Sequence, residues 1–99
     1  MHFPITKYRV IGESMLPTLC PGDSVLATSL LVRILPPKKG ELIVIAHPIE
    51  KTPLIKRIEK VANGSFFVRG DNESKSTDSR NFGWITIEDI LGKVLYTIS

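Results

Sequence analysis

Apolar positions fall in short bursts along this chain, and each burst is closed by glycine, proline or a polar run. Residues 8–11 are β-prone. Pro21-Gly22-Asp23 makes a turn that launches a short strand over residues 24–28. Residues 30–35 are apolar apart from Arg33. So short a run fits one helical turn or more strand, and periodicity does not separate the two. Pro36-Pro37-Lys38-Lys39-Gly40 is a loop. Residues 41–46 are apolar after Glu41 without alternation, which predicts a strand buried on both faces and ending before Pro48. Beyond Pro48 and Pro53, residues 54–61 alternate as a half-exposed strand does. Asn63-Gly64 then predicts a tight hairpin into a strand over residues 65–69. Residues 70–80 are polar and turn-rich, and Phe82-Gly83-Trp84-Ile85 is apolar again. A short turn over 86–90 and a closing strand over 92–98 complete the chain. Many short strands between glycine and proline turns predict an all-β, β-dominated fold with little helix.

Composition narrows the picture without deciding it. Ninety-nine residues predict a single domain, 1–99, with a thin core, and 42% hydrophobic with 23% charged residues is ordinary for a soluble globule. The net charge of +3 is scattered, with Lys38-Lys39 and Lys56-Arg57 the only basic doublets. That is a solvated basic face rather than the clustered charge of a nucleic-acid binder. Cys20 is the only cysteine, which excludes an intrachain disulfide and a cysteine-rich metal site; a small buried filler is the expected role. No apolar run approaches the roughly 20 residues of a membrane span. Met1-His2-Phe3-Pro4 does not read as a signal peptide. The expectation is a soluble, cytoplasmic protein.

Candidate chemistry centres on Gly12-Glu13-Ser14-Met15-Leu16-Pro17-Thr18-Leu19. Glycine and proline restrict this stretch to a shaped loop presenting one serine hydroxyl. A serine is a weak nucleophile until a base takes its proton. His2 lies at the N-terminus, and His47 sits in a strand-end loop with no triad partners evident around it. Lys56 is the other option. Turned inward among apolar neighbours, it would lose affinity for its proton and act as a general base. Strand statistics alone favour a surface lysine on an edge strand, with Arg57 facing the opposite way. A third cluster holds Gly70-Asp71-Asn72, Ser76, Asp78, Ser79 and Arg80. Asp78 and Arg80 are spaced to pair. The cluster reads either as a solvated loop with Asx turns or as a loop held against the site while Ser76 orients the base.

Taken in order, Gly12 to Leu19, Gly22-Asp23, Lys56-Arg57-Ile58 and Gly70-Asp71-Asn72 with Ser76-Thr77-Asp78-Ser79-Arg80-Asn81-Phe82-Gly83 resemble the successive sequence boxes of the type I signal peptidase family of serine proteases. The resemblance covers residues 12–94. It implies a coiled β-sheet fold and a Ser/Lys dyad, with Ser14 as nucleophile and Lys56 as general base. Ser76 would hydrogen-bond the lysine, and Asp78 with Arg80 would brace that loop. No cofactor and no metal is implied. Substrates would be precursor proteins or peptides bound as extended strands and cut after small residues, commonly alanine. The amide of Ser14 is the expected oxyanion donor. Family members often carry a hydroxyl two residues before the nucleophile; here that position is Gly12, leaving its backbone or another group as second donor.

The chain is short between Lys56 and Gly70 and shows no transmembrane anchor. In size and layout it is similar to the subgroup resembling the maturation protease of nickel-containing superoxide dismutase. The implied function is removal of a short N-terminal extension or signal-like segment from a precursor. Two other readings stand beside it. One is a non-catalytic β-module that binds an extended peptide by strand addition. The other is a truncated signal peptidase acting on exported precursors, reaching the membrane peripherally or through an unseen partner or anchor. Met15 is expected to pack beside the dyad, Phe82 and Trp84 to anchor core or loop, and Glu13 to face solvent.

Overall fold

Seven strands form one antiparallel sheet in the computed structural model, which describes residues 4–30 and 32–99. They are β1 (Ile5–Arg9), β2 (Ser24–Thr28), β3 (Leu42–Ala46), β4 (Pro53–Ala62), β5 (Ser65–Arg69), β6 (Ile85–Thr86) and β7 (Ile90–Ile98). Their spatial order is β1-β2-β7-β3-β4-β5-β6. Helix is confined to a single turn, α1 (Ser79–Phe82), and 3₁₀ turns at Glu73–Lys75 and Ile87–Asp89. The architecture is all-β, as the pattern of apolar bursts predicts.

Register irregularities lie between β2 and β7, β3 and β7, and β4 and β5. Extra residues of this kind bend and twist strands, which lets the sheet curl and cover both of its faces. The core therefore divides in two. Ile43, Ile45, Ile58, Phe66, Val68, Ile85 and Ile90 pack with Val32 on one side. Val10, Met15, Leu19, Val25, Ala27, Val44 and Ile55 pack on the other. Strand β3 alternates between them, with Ile43 and Ile45 in the first cluster and Val44 in the second. That explains its unbroken apolar run, because its three central positions are buried on alternate faces.

The Asn63-Gly64 hairpin joins β4 to β5 as expected, with φ of +50° and +76° at the two turn residues. Several expectations shift. The first strand is Ile5–Arg9 rather than 8–11, because the chain beyond Arg9 leaves the ladder to enter the serine loop. Residues 32–34 are turn, neither strand nor helix, while Leu31 lies outside the described residues. Cys20 is exposed, not a buried filler, since the neighbouring Leu19 takes the inward position. Trp84 is 46% exposed and meets Phe67 edge-on, whereas Phe82 packs against the first cluster.

Candidate active site

Ser14 lies on the loop between β1 and β2. The base of this loop is closed by the Val10 amide donating to Asp23 O and the Gly22 amide donating to Val10 O. Gly12 holds φ at +80°, a region disfavoured for residues with a side chain, and Leu16–Pro17 is a cis peptide. Met15 and Leu19, each 1% exposed, pin the loop to the second core cluster. Between these anchors Ser14 stays half-buried, and Glu13 faces solvent as expected.

A second set of bonds ties the loop to the chain beyond β5. The Asn72 amide donates to Ser14 O at 2.8 Å and its side-chain nitrogen to Glu13 O at 3.0 Å. Thr18 Oγ1 donates to Asp71, whose carboxylate also receives Arg57 Nε at 2.9 Å and Nη2 at 2.8 Å. Gly70 is the tightest point. A methyl group there would collide with Ser76 Oγ and lie 2.7 Å from Ser14 O. Only a residue without a side chain lets the serine loop and the Ser76 loop approach so closely.

Lys56 is 2% exposed. Strand β4 brings it inward on the side of Ile58, while Arg57 turns the other way to Asp71. Lys56 Nζ donates to Ser76 Oγ at 3.1 Å, and Ser76 Oγ donates to Asp78 Oδ2 at 2.8 Å. Burial lowers the Lys56 pKa from the usual lysine value; the charge of Asp78 opposes this and that of Arg80 adds to it. Asp78, with no side-chain exposure, also accepts from the Gly70 amide at 2.9 Å and from Arg80 Nε and Nη2 at 3.0 Å each. Burial disfavours its charge, but the hydrogen bonds from Arg80, Gly70 and Ser76 outweigh burial and hold the carboxyl well below the usual carboxylate range. Asp78 also caps α1, where its carboxylate accepts from Arg80 N and Asn81 Oδ1 accepts from its own amide. Ser79 Oγ, accepting from Val68 N, fastens the helix to β5.

The residues singled out from the sequence thus gather in one region: Ser14, Gly12, Lys56, Ser76, Asp78 and Arg80. No direct hydrogen bond joins the Ser14 hydroxyl to the Lys56 amine; Gly70 is the residue that both loops touch. His47 stands apart. Its Nδ1 accepts the amides of Ile49 and Glu50, and its ring packs against Phe82, so it shapes the β3–β4 turn. His2 lies outside the described residues. Sequence reasoning placed Asn72 and Ser79 in the third polar cluster without naming their partners, and it passed over the bracing contributed by Thr18; the signal available was the Asp71-Asn72 pair directly after the end of β5. Among the described residues no group of three or more His, Cys, Asp or Glu side chains is placed to hold a metal ion. No helix among them is long and apolar enough to cross a membrane.

Ser14 opens onto a cleft of about 270 Å³. One wall comes from Val10, Ile11 and Met15, and the other from Pro53, Leu54 and Ile55 at the start of β4. A cleft of about 340 Å³ beside Arg57 is rich in charge, but Arg57 and Arg69 are both paired to acids there.

The family profile described as signal peptidase, peptidase S26, matches residues 1–59 and 59–98. Subunit 1b of a mitochondrial ATP-independent inner membrane protease from Arabidopsis thaliana is 35% identical over 88% of this chain and 66% of its own length. Subunit 1a from the same plant is 31% identical over 98% of this chain and 72% of its own. Signal peptidase I of Bacillus caldolyticus is 26% identical, covering 93% of this chain and 78% of its own. The chain therefore spans about two thirds to three quarters of these relatives' length. With the profile matching along nearly all of it, the chain belongs to the signal peptidase family, peptidase S26, a family of serine endopeptidases.

Proposed function

We propose that Ser14 and Lys56 form the dyad of an endopeptidase that removes a signal-like segment or short N-terminal extension from a precursor protein. The observation that carries this reading is the state of Lys56: buried, its amine on a serine hydroxyl, and the nearby carboxylate already taken by Arg80. Ser76 commits its proton to Asp78 and so accepts from Lys56. A neutral Lys56 amine then keeps its lone pair for the Ser14 hydroxyl. As Ser14 Oγ attacks the peptide carbonyl, Lys56 takes its proton and passes it to the leaving amine. Water then attacks the resulting ester, giving its proton to Lys56, which returns it to Ser14 Oγ as the ester bond breaks and the acid product leaves. The Ser14 amide is the first oxyanion donor, and the backbone at Gly12 is the nearest candidate for a second.

Extended-strand binding fits two free edges at the cleft. Val10 bonds toward Asp23 and Gly22, so the peptide groups of Arg9 and Ile11 face away from β2. Strand β4 pairs with β3 from Pro53 onward, but with β5 only from Arg57, so residues 53–55 are unpaired on one side. A substrate strand between these edges would extend both. The relatives are named as signal peptidases and inner membrane proteases, which supports a precursor as substrate. The resemblance to the maturation protease subgroup makes the precursor of a nickel-containing superoxide dismutase one candidate substrate to try. The missing direct bond between Ser14 and Lys56 favours one rival, a module that binds such a strand without cutting it.

The purified protein is to be assayed on fluorogenic precursor peptides and on that dismutase precursor. Ser14→Ala and Lys56→Ala should each lower cleavage by about 10⁴-fold or more while thermal unfolding stays cooperative. Activity surviving in either variant ends the dyad reading. Peptide binding without turnover by the unaltered chain supports the rival.

A further inference from the structure

The cleft beside Ser14 holds one charged side chain that the chemistry above leaves unused. Arg9, the last residue of β1, lines it. Its neighbours Tyr8 and Val10 turn toward the second core cluster, so strand alternation puts Arg9 on the outer face, where it is exposed. Arg33, Arg57, Arg69 and Arg80 each have a carboxylate partner. Arg9 alone among the described arginines has none. The rest of the lining is apolar or hydroxyl-bearing, which makes Arg9 the only charged side chain among the described residues that line the cleft.

We propose that Arg9 is a specificity-determining residue, selecting precursor segments that carry Asp or Glu on the outward face of the bound strand. This rests on the reading that the cleft holds an extended substrate. A strand laid along the Arg9–Ile11 edge sends alternate side chains to opposite faces. Those turned inward meet Val10, Met15 and Ile55, and are selected for small or apolar character. Those turned outward lie across from Arg9, within the roughly 4.5–8 Å at which cross-strand and diagonal pairs interact. There an acid is attracted, while a lysine or arginine is repelled. The preferred segment therefore alternates small apolar residues with at least one acidic one, a pattern the apolar walls alone do not demand.

Fluorogenic peptides built on an alanine–alanine bond, with a single Glu, Gln or Lys walked through the flanking positions, test this. At one position the Glu peptide should exceed its Gln counterpart by about threefold to fivefold in kcat/KM at low salt, the size of an exposed ion pair. The advantage should shrink at high salt. Arg9→Glu should reverse the order and favour Lys at that same position. The series is repeated as binding to the Ser14→Ala protein, so the preference is readable without turnover. Cleavage with Glu, Gln and Lys equal at every position overturns this inference and leaves the peptidase reading intact. A charge preference in binding with no cleavage by the unaltered chain supports the inference and overturns the dyad. Failure to bind or cut any peptide overturns both.

Discussion

Lys56 and Arg57 are neighbours on β4, yet the surroundings of the two cations differ in almost every respect. Arg57, half-buried, lays two nitrogens on Asp71 and a third on Gly40 O. The hydrogen bonding to Asp71 raises the Arg57 pKa against a smaller effect of burial, and the same bonding lowers that of Asp71. Lys56, buried more completely, is near an acid too, but Asp78 is saturated by Arg80, the Gly70 amide and Ser76. Its amine touches only a neutral hydroxyl. Proximity to a carboxylate is thus not what fixes a buried cation's charge. For Lys56 burial outweighs the pull of Asp78, whose hydrogen bonds go to other groups.

Lys56→Met breaks the contrast most severely. It removes the base, so cleavage should fall by about 10⁴-fold. It also replaces a poorly compensated buried amine with an apolar chain of similar length. Stability should rise by about 1 kcal/mol, a gain of about 4–8 °C in Tm for a chain this size. Linkage gives the same sign. The folded pKa of Lys56 lies below its unfolded value, so between the two the unfolded chain binds more protons and stability climbs with pH. In the Met variant that climb should vanish. A lower Tm for Lys56→Met at neutral pH, in a thermal scan, counts against a strained amine.

Asp78→Ala comes next. It leaves the buried Gly70 amide and the part-buried Ser76 hydroxyl without their acceptor and takes the carboxylate from the exposed Arg80, and should destabilise by about 1–3 kcal/mol in urea titration. The depressed pKa of Asp78 carries the same linkage sign as that of Lys56, but acts in the acid range. Its contribution is present above the ordinary carboxylate range and is lost as pH falls toward the folded pKa. Acid unfolding of the Ala variant should therefore lose its steepest limb.

The pH dependence of cleavage gives a smaller but sharper reading. With Lys56 as base, kcat/KM should rise about tenfold per pH unit until the amine is neutral, then level off. Arg80→Ala should move that rise to higher pH, because it removes a positive charge that lowers the Lys56 pKa and frees Asp78 to hold the Lys56 proton. An unmoved profile would show that Arg80 only braces the loop.

Much of this arrangement was legible from residue order. The turn at Asn63-Gly64 and the strands on either side of it follow from local rules, as does the doubly buried β3. Lys56 was not decidable that way. Alternation along β4 puts a charged residue at 56 and another at 57 without saying which face is covered. Its burial follows from the sheet curling until both faces pack, a long-range outcome. Gly70 was hidden for a related reason, since its crowding comes from two loops far apart in sequence. The misplaced burial of Cys20 shows the reverse error, where a residue's average habit outweighed the register of its loop.

The mildest test returns to the other side of β4. Asp71→Asn removes one negative charge, as Asp78→Asn would, but from a partly exposed pair. Such pairs contribute about 0–1 kcal/mol, so the loss in stability should stay below about 1 kcal/mol and diminish further in high salt. Asn72 still holds Ser14 O through its own amide, which keeps the serine loop docked without the Asp71 charge. Cleavage should therefore drop only a few-fold, and the pH profile should keep its position because Lys56 does not face Asp71. If instead Asp71→Asn proved as damaging as Asp78→Asn in parallel urea titrations and turnover assays, the two sides of β4 would be one electrostatic unit. The difference between a charge that holds a loop and a charge that tunes an amine would then disappear.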